Sequence, residues 1–187
     1  MVAVAISLVL RAFVVQAFVI PTASMQPLLQ PGDRVLAWRL PAFTGDVRRG
    51  DVVVFDGSGV FAESGDFAKR VVGVEGDRVA CCTPDGQVTV DGEPLAEPYL
   101  YPGDRPSEVR FDVVVPPGRL WVMGDHRSVS ADSRAYLGRP GGGMVPEERV
   151  IGRVVGVLWP PGRAGVLDRA AADGTAAPGT QARGRTS

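Results

Sequence analysis

Residues 1–20 are apolar apart from Ser7, Arg11 and Gln16, and Pro21 ends any helix that they form. Three structures compete for such a run. A cleavable secretory signal would begin with basic residues and keep its centre uninterrupted, whereas here Arg11 lies in mid-segment with nothing basic before it. A buried soluble helix would have to house that arginine. A membrane anchor over residues 1–20 fits best, although a central arginine costs roughly 2.5–3.5 kcal/mol on insertion scales and no basic flank sets its orientation. An upstream start would make residues 1–10 the outer half of the span and let Arg11 reach the headgroups.

From Gly32 onward the pattern turns to short β-strands. Residues 33–38 read as a strand, and Asp51–Phe55 is a continuous apolar run suited to a fully buried one. Further strands are expected at 69–74, 78–82 and 87–90. The last is flanked by the tight-turn dipeptides Asp85-Gly86 and Asp91-Gly92, which marks a small hairpin module. A connecting loop with three prolines covers 96–110, giving a hairpin and loop insertion over about 78–110. Strands resume at 111–115, 119–123 and 150–159. Residues 161–187, rich in Ala, Gly, Arg and Thr, read as a disordered tail. The expected architecture is a membrane anchor, one mostly β domain of antiparallel sheets over 21–160, and the tail.

Composition narrows the chemistry. The 24 glycines and 16 prolines favour strands joined by turns. A net charge of -1 offers no general attraction to nucleic acid. The two cysteines, Cys81 and Cys82, are adjacent. Neighbours rarely meet the geometry of an unstrained disulfide, so no stapled scaffold is expected. One histidine and no other cysteine leave no set for a structural zinc site, and no cofactor is expected. Among the 20 basic residues, 19 are arginine and one, Lys69, is lysine. A lysine can lose its proton when desolvated, whereas arginine stays charged. Lys69 therefore marks either a leftover surface lysine or a place where arginine cannot serve.

Four segments carry candidate chemistry: Pro21-Thr22-Ala23-Ser24-Met25-Gln26-Pro27; Arg49-Gly50-Asp51-Val52-Val53; Lys69 through Asp77; and Gly124-Asp125-His126-Arg127 through Ser130-Ala131-Asp132-Ser133-Arg134. A serine hydroxyl needs a neighbouring base before it becomes a useful nucleophile. For Ser24 the bases on offer are His126 and Lys69. Adjacent Asp125 and His126 would rarely orient one another as a Ser–His–Asp triad requires. A lysine base must lose about 3 pH units from its ordinary pKa, a cost of about 4 kcal/mol that apolar burial can impose. Phe67, Ala68, Val71 and Val72 around Lys69 supply such surroundings.

Together and in this order, these boxes resemble those of bacterial type I signal peptidases, over roughly residues 5–160. The resemblance implies a membrane-bound serine endopeptidase that removes signal peptides, with Ser24 as nucleophile and Lys69 as general base. It implies that Ser130 hydrogen-bonds and orients the lysine. The Ser24 N–H and the Thr22 hydroxyl would hold the oxyanion, at a position where many members carry serine. Asp132 and Arg134 match a supporting salt bridge, and Asp125 and Arg127 match similar supports. His126 stands where asparagine is the expectation, and Ser128-Val129 replace a more polar pair. None of these three matches a proton-transfer position.

Signal peptidases cut after small residues in an Ala-X-Ala pattern, with the peptide bound as an added strand. Phe18, Ile20, Met25, Leu29 and Ala68 match the walls of the two small-residue pockets; ordinary core packing is the plainer reading of the same residues. The implied partners are the signal peptides of exported preproteins, membrane lipid and the secretion translocon, with no nucleic acid. The implied location is the cytoplasmic membrane, crossed once, with the catalytic domain on the extracytoplasmic side. Two other readings stay open: a soluble Ser–Lys autoprotease of the SOS-repressor type, and a catalytically silent membrane-associated binding module. The first would carry a DNA-binding domain or self-cleavage segment before its serine, and the second would lack Ser24 or Lys69.

Overall fold

The structure, a computed structural model, describes residues 15–39, 47–61 and 64–167. Twelve strands are present among them: β1 (Val15–Val19), β2 (Arg34–Trp38), β3 (Val52–Asp56), β4 (Asp66–Gly73), β5 (Arg78–Cys81), β6 (Val88–Val90), β7 (Glu93–Pro94), β8 (Phe111–Val114), β9 (Arg119–Met123), β10 (Val145–Pro146), β11 (Val150–Trp159) and β12 (Gly165–Val166). The helical elements among the described residues are four short 3-10 turns. The larger sheet runs β1-β2-β11-β3-β4-β9-β10, with β12 added to β11, and a smaller sheet runs β7-β6-β5-β8. All the pairings are antiparallel.

Strand β3 explains the layering. It lies between β11 and β4, so both of its faces are covered, and the run Val52–Phe55 is fully buried. Alternation sends Val52 and Val54 into one apolar cluster with Val35, Ala37 and Val154. It sends Val53 and Phe55 into another with Phe61, Val71, Leu120 and Val122. A third cluster, holding Val72, Val79, Val88, Phe111 and Trp121, joins β4 and β9 to the small sheet. Antiparallel pairing sets Lys69 of β4 opposite Val53, in the middle of this covered sheet.

Several expectations change on contact with the fold. Residues 15–19, read as the end of an apolar anchor, form an edge strand whose register runs from Val15↔Trp38 to Val19↔Arg34. Ile20 follows as buried core. The strand wins here because β2 offers an open edge, so the main chain gains a ladder that an isolated apolar segment lacks. The remainder of the expected anchor, residues 1–14, lies outside the described residues. No helix among the described residues is long and apolar enough to cross a membrane.

The hairpin module is a four-stranded sheet, because β5 also pairs along Phe111–Val114 through Arg78↔Val114 and Cys81↔Phe111. Its tight turn is the expected one: Asp91 and Gly92 both have positive φ, 55° and 89°, as a two-residue hairpin loop of this hand requires. Cys81 and Cys82 are joined by a disulfide. The bond between neighbours closes no loop of chain and so staples nothing. Residues 161–167, read as the start of a disordered tail, are ordered. Arg163 donates to Asp33 and to the Leu28 carbonyl, at 3.0 Å each through Nη2, and Leu167 packs beside the Val52–Val54 cluster. Residues 168–187 lie outside the described residues.

Candidate active site

Ser24 sits in a single 3-10 turn, Ala23–Met25, between the two prolines of its segment. The turn is pinned from inside: Met25 and Leu29 are fully buried, and the Leu29 N–H donates to the Met25 carbonyl at 2.9 Å. It is pinned from the far strand as well. The His126 N–H, just past the end of β9, donates to the Ser24 carbonyl at 3.1 Å. Between them lies Gly124, where an added Cβ would come 2.5 Å from the Ser24 carbonyl oxygen. The serine segment and the β9 loop thus meet main chain to main chain, at a point where a side chain would hold them apart.

Lys69 approaches from β4. Its Nζ lies 2.6 Å from Ser24 Oγ, and its side chain is 3% exposed. Burial pushes the amine down to about 8; the Asp132 and Asp125 carboxylates oppose the shift and Arg134 adds to it. An ammonium at this position is therefore close to giving up its proton at neutral pH. On the other side of the nucleophile, Thr22 Oγ1 lies 3.2 Å from Ser24 Oγ. Thr22 is exposed. The His126 ring stacks on Tyr101, with ring centroids 3.9 Å apart, and its buried Nδ1 has no hydrogen-bond partner among the described residues.

Beneath the pair is a buried charge network. Asp132 takes two hydrogen bonds from the Arg134 guanidinium, at 2.9 and 2.8 Å, and one from the Gly124 N–H at 3.0 Å. Asp125 takes two from Arg70, at 2.8 and 2.6 Å. Burial works against the Arg70 charge, but the hydrogen bonds and charge of Asp125 outweigh it and hold the guanidinium above its ordinary pKa. Arg127 donates to the Gly124 carbonyl at 2.8 Å, and pairs with Glu97. Each of these bonds fixes the loop that abuts Ser24.

Ser130 departs from expectation. Its Oγ is buried and has no hydrogen-bond partner among the described residues, so the expected bond to Lys69 is not made. The hydroxyl lies instead against Gly124, where an added Cβ would come 2.6 Å from Ser130 Cβ. The five expected pocket residues do converge. Phe18, Ile20, Met25, Leu29 and Ala68 belong to one apolar cluster, in which Phe18 and Ala68 are only partly buried and keep surface for a ligand.

Sequence reasoning missed three contributors. Arg70 looked like one charge among many, yet a charged residue next to Lys69 in an otherwise apolar strand was a usable signal. Glu97 lies in a loop whose path no local pattern sets. Gly124 opened the fourth segment, but nothing in the sequence showed that Ser24 would pack against it.

A serine hydroxyl held by a buried, readily deprotonated lysine, beside a second hydroxyl able to face an oxyanion, has the parts of a serine hydrolase that needs neither histidine nor metal as base. Similarity to known proteins gives the same class. A family model described as signal peptidase, peptidase S26, matches residues 1–159. Signal peptidase I of Mycobacterium tuberculosis is 34% identical over 213 residues, which take in 89% of this chain and 72% of that protein. Signal peptidase I of Bacillus licheniformis is 32% identical over 167 residues, covering 85% of this chain and 84% of the relative. A crystal structure of a signal peptidase I from Enterococcus faecalis aligns with a TM-score of 0.46 and 24% identity, over 58% of this chain and 96% of that one. The chain belongs to the signal peptidase family, peptidase S26, and is a serine endopeptidase.

Proposed function

We propose that the protein is a membrane-bound signal peptidase that removes signal peptides from exported preproteins, cutting after small residues in an Ala-X-Ala pattern. The observation that carries this reading is the 2.6 Å approach of the buried Lys69 amine to Ser24 Oγ. In the neutral state Lys69 accepts the hydroxyl proton as Ser24 Oγ attacks the scissile carbonyl carbon. The developing oxyanion is met by the Ser24 N–H and the Thr22 hydroxyl. As the C–N bond breaks, the Lys69 ammonium returns its proton to the leaving amine, and the new amino terminus departs. Water then attacks the carbonyl carbon of the Ser24 ester as Lys69 takes its proton; the C–Oγ bond breaks, Lys69 returns that proton to Ser24 Oγ, and the signal peptide leaves with a new carboxyl terminus. Asp132, Arg134, Asp125 and Arg127 act by holding the loop against Ser24.

Small residues before the scissile bond suit this apolar cluster, in which Phe18 and Ala68 are partly buried and Ile20, Met25 and Leu29 are buried. Residues 1–14, which precede β1 in the sequence, are the segment to enter the bilayer, with the catalytic domain of residues 21–160 on the extracytoplasmic side near the translocon. Support for a domain lying on a membrane comes from exposed Val19, Trp38, Leu158, Trp159 and Val166, which fall on the neighbouring strands β1, β2, β11 and β12. Tryptophan suits the headgroup level, where one end of the ring is apolar and the other wet.

The test is cleavage of a preprotein by the detergent-solubilised full chain. The wild type is expected to cut at the Ala-X-Ala site, and folded Ser24→Ala and Lys69→Arg variants are expected to lose activity. Arginine keeps the charge but cannot act as a base. Substantial cleavage by folded Lys69→Arg would defeat the Ser–Lys mechanism.

A further inference from the structure

The hydrogen bond that holds the Ser24 turn is the second of a pair. The His126 N–H, which donates to the Ser24 carbonyl at 3.1 Å, belongs to the Asp125–His126 peptide, and the carbonyl of that same peptide accepts from the Tyr101 N–H at 3.0 Å. The peptide is trans, so its C=O and N–H leave opposite edges of one rigid plane. Tyr101, this peptide and Ser24 are thus joined by two hydrogen bonds in line, each polarising the other. The side chains repeat the connection: the Tyr101 and His126 rings lie 3.9 Å apart and 13° from parallel. Beyond the stack, the Ser128 N–H donates to Asp104 at 3.2 Å, and Arg127 bonds to Glu97 and to the Pro106 carbonyl. The loop of residues 97–106, which local pattern marks only as a connection, grips the β9 loop on the edge away from Ser24. Proton transfer does not account for the imidazole, because its Nδ1 is buried with no partner among the described residues and the base beside Ser24 is Lys69.

We propose that Tyr101 and His126 are positioning residues: their stacked rings fix the Asp125–His126 peptide, and through its N–H the Ser24 turn, so that Ser24 Oγ stays within reach of Lys69. The proposal rests on Ser24 being the nucleophile. Lys69 is held independently, by the pairing of β4 with β3, so a shift of this peptide moves one member of the reacting pair and leaves the other in place. A misplacement of about 1 Å costs on the order of 10²-fold, and a shift of roughly half that is expected to cost about tenfold. Stacking is a property that any aromatic ring supplies. A phenyl ring at position 126 would keep the stacked face and also remove the buried, unpartnered nitrogen. Phenylalanine therefore separates the stack from any acid–base role of the imidazole.

The experiment measures kcat and KM for cleavage of a preprotein by the detergent-solubilised full chain, in variants that keep a cooperative thermal transition. Tyr101→Ala and His126→Ala are each expected to lower kcat about tenfold while KM stays within about twofold of the wild type. The double variant is expected to lose no more than either alone, because both changes break one stack. Tyr101→Phe and His126→Phe should recover most of the lost kcat. If an Ala variant fails to fold, Tyr101→Leu or His126→Leu, which keeps bulk without a ring face, carries the same expectation. Wild-type kcat in the ring-less variants, losses that multiply in the double variant, a loss confined to KM, or no recovery with phenylalanine overturns the positioning role. Each of those results leaves the peptidase reading standing, provided that the wild type cuts and Ser24→Ala does not. A wild type that fails to cut overturns both.

Discussion

Lysine 69 combines a charge with a site that rejects charge, and its behaviour follows from that conflict. Holding the amine near 8 rather than 10.5 corresponds to about 3 kcal/mol, at about 1.4 kcal/mol per pH unit. Between those two pH values the unfolded chain binds more protons than the folded one, so stability rises with pH across that window. Below 8 the cost of the buried ammonium is present in full. Lys69→Met should therefore stabilise the protein by about 3 kcal/mol at pH 7, with the gain shrinking as pH climbs toward 10.5. Urea midpoints at pH 7 and pH 10 check it, and an equal gain at both would mean that Lys69 is not buried as a charge. The same amine should shape activity. The logarithm of kcat/KM should rise with unit slope and level near pH 8, because the base works unprotonated. A limb that disappears in His126→Ala would point to histidine instead. Thr22 makes a separate prediction. If its hydroxyl meets the oxyanion, Thr22→Val should lose about 10²–10³ in kcat while Thr22→Ser keeps most of it. Equal rates in the two variants would remove Thr22 from the mechanism.

At the scale of elements, the site depends on how closely the end of β9 approaches the serine turn. The turn has one partner there, the His126 N–H, and Gly124 supplies the clearance. An alanine at 124 would press its methyl against the Ser24 carbonyl and Ser130 Cβ, at 2.5 and 2.6 Å, and one of the two segments would have to move. Because Lys69 is fixed by pairing to β3 and Arg70 by pairing to β9, the serine turn is the part expected to yield. A displacement of about 1 Å at a reacting group costs on the order of 10²-fold. Gly124→Ala should therefore lose at least that factor in kcat while retaining a cooperative thermal transition. Full activity in a folded Gly124→Ala protein would mean that the contact does not position Ser24. The neighbouring Arg70–Asp125 pair plays the complementary part, holding the same loop from below with both charges buried.

At the scale of the whole molecule, the proposed enzyme needs its N-terminal segment twice. Residues 15–19 complete the edge of the larger sheet beside β2, and the residues before them are proposed to enter the bilayer. Pro21-Thr22-Ala23 could pass for a cleavage site, but cutting after Ala23 would strip off β1 and Thr22 together. The intact chain is expected to sediment with membranes and to resist extraction by high salt or alkali. Mass spectrometry of its N-terminal peptide should find no chain that starts at Ser24. A soluble, active chain beginning at Ser24 would overturn both the anchor and the oxyanion role of Thr22.

Local pattern was enough for whatever one strand or turn decides alone. Asp51–Phe55 announced a strand covered on both faces, Asp91-Gly92 announced a tight hairpin loop, and the solitary lysine among arginines singled out a position that the fold buries beside a serine hydroxyl. Such features depend on side-chain period, backbone hand and intrinsic acidity, which a residue carries wherever it is. Partnership was decided only by the fold. Val15–Val19 became a strand because β2 had an edge to fill, and Phe111–Val114 joined the small sheet because β5 had one. Arg70 found Asp125 across 55 residues of chain, and Gly124 became a point of close approach only once Ser24 was packed against it. Pairing energies and close contacts belong to two segments at once, and which segments meet is settled when the clusters on either side of β3 are buried together.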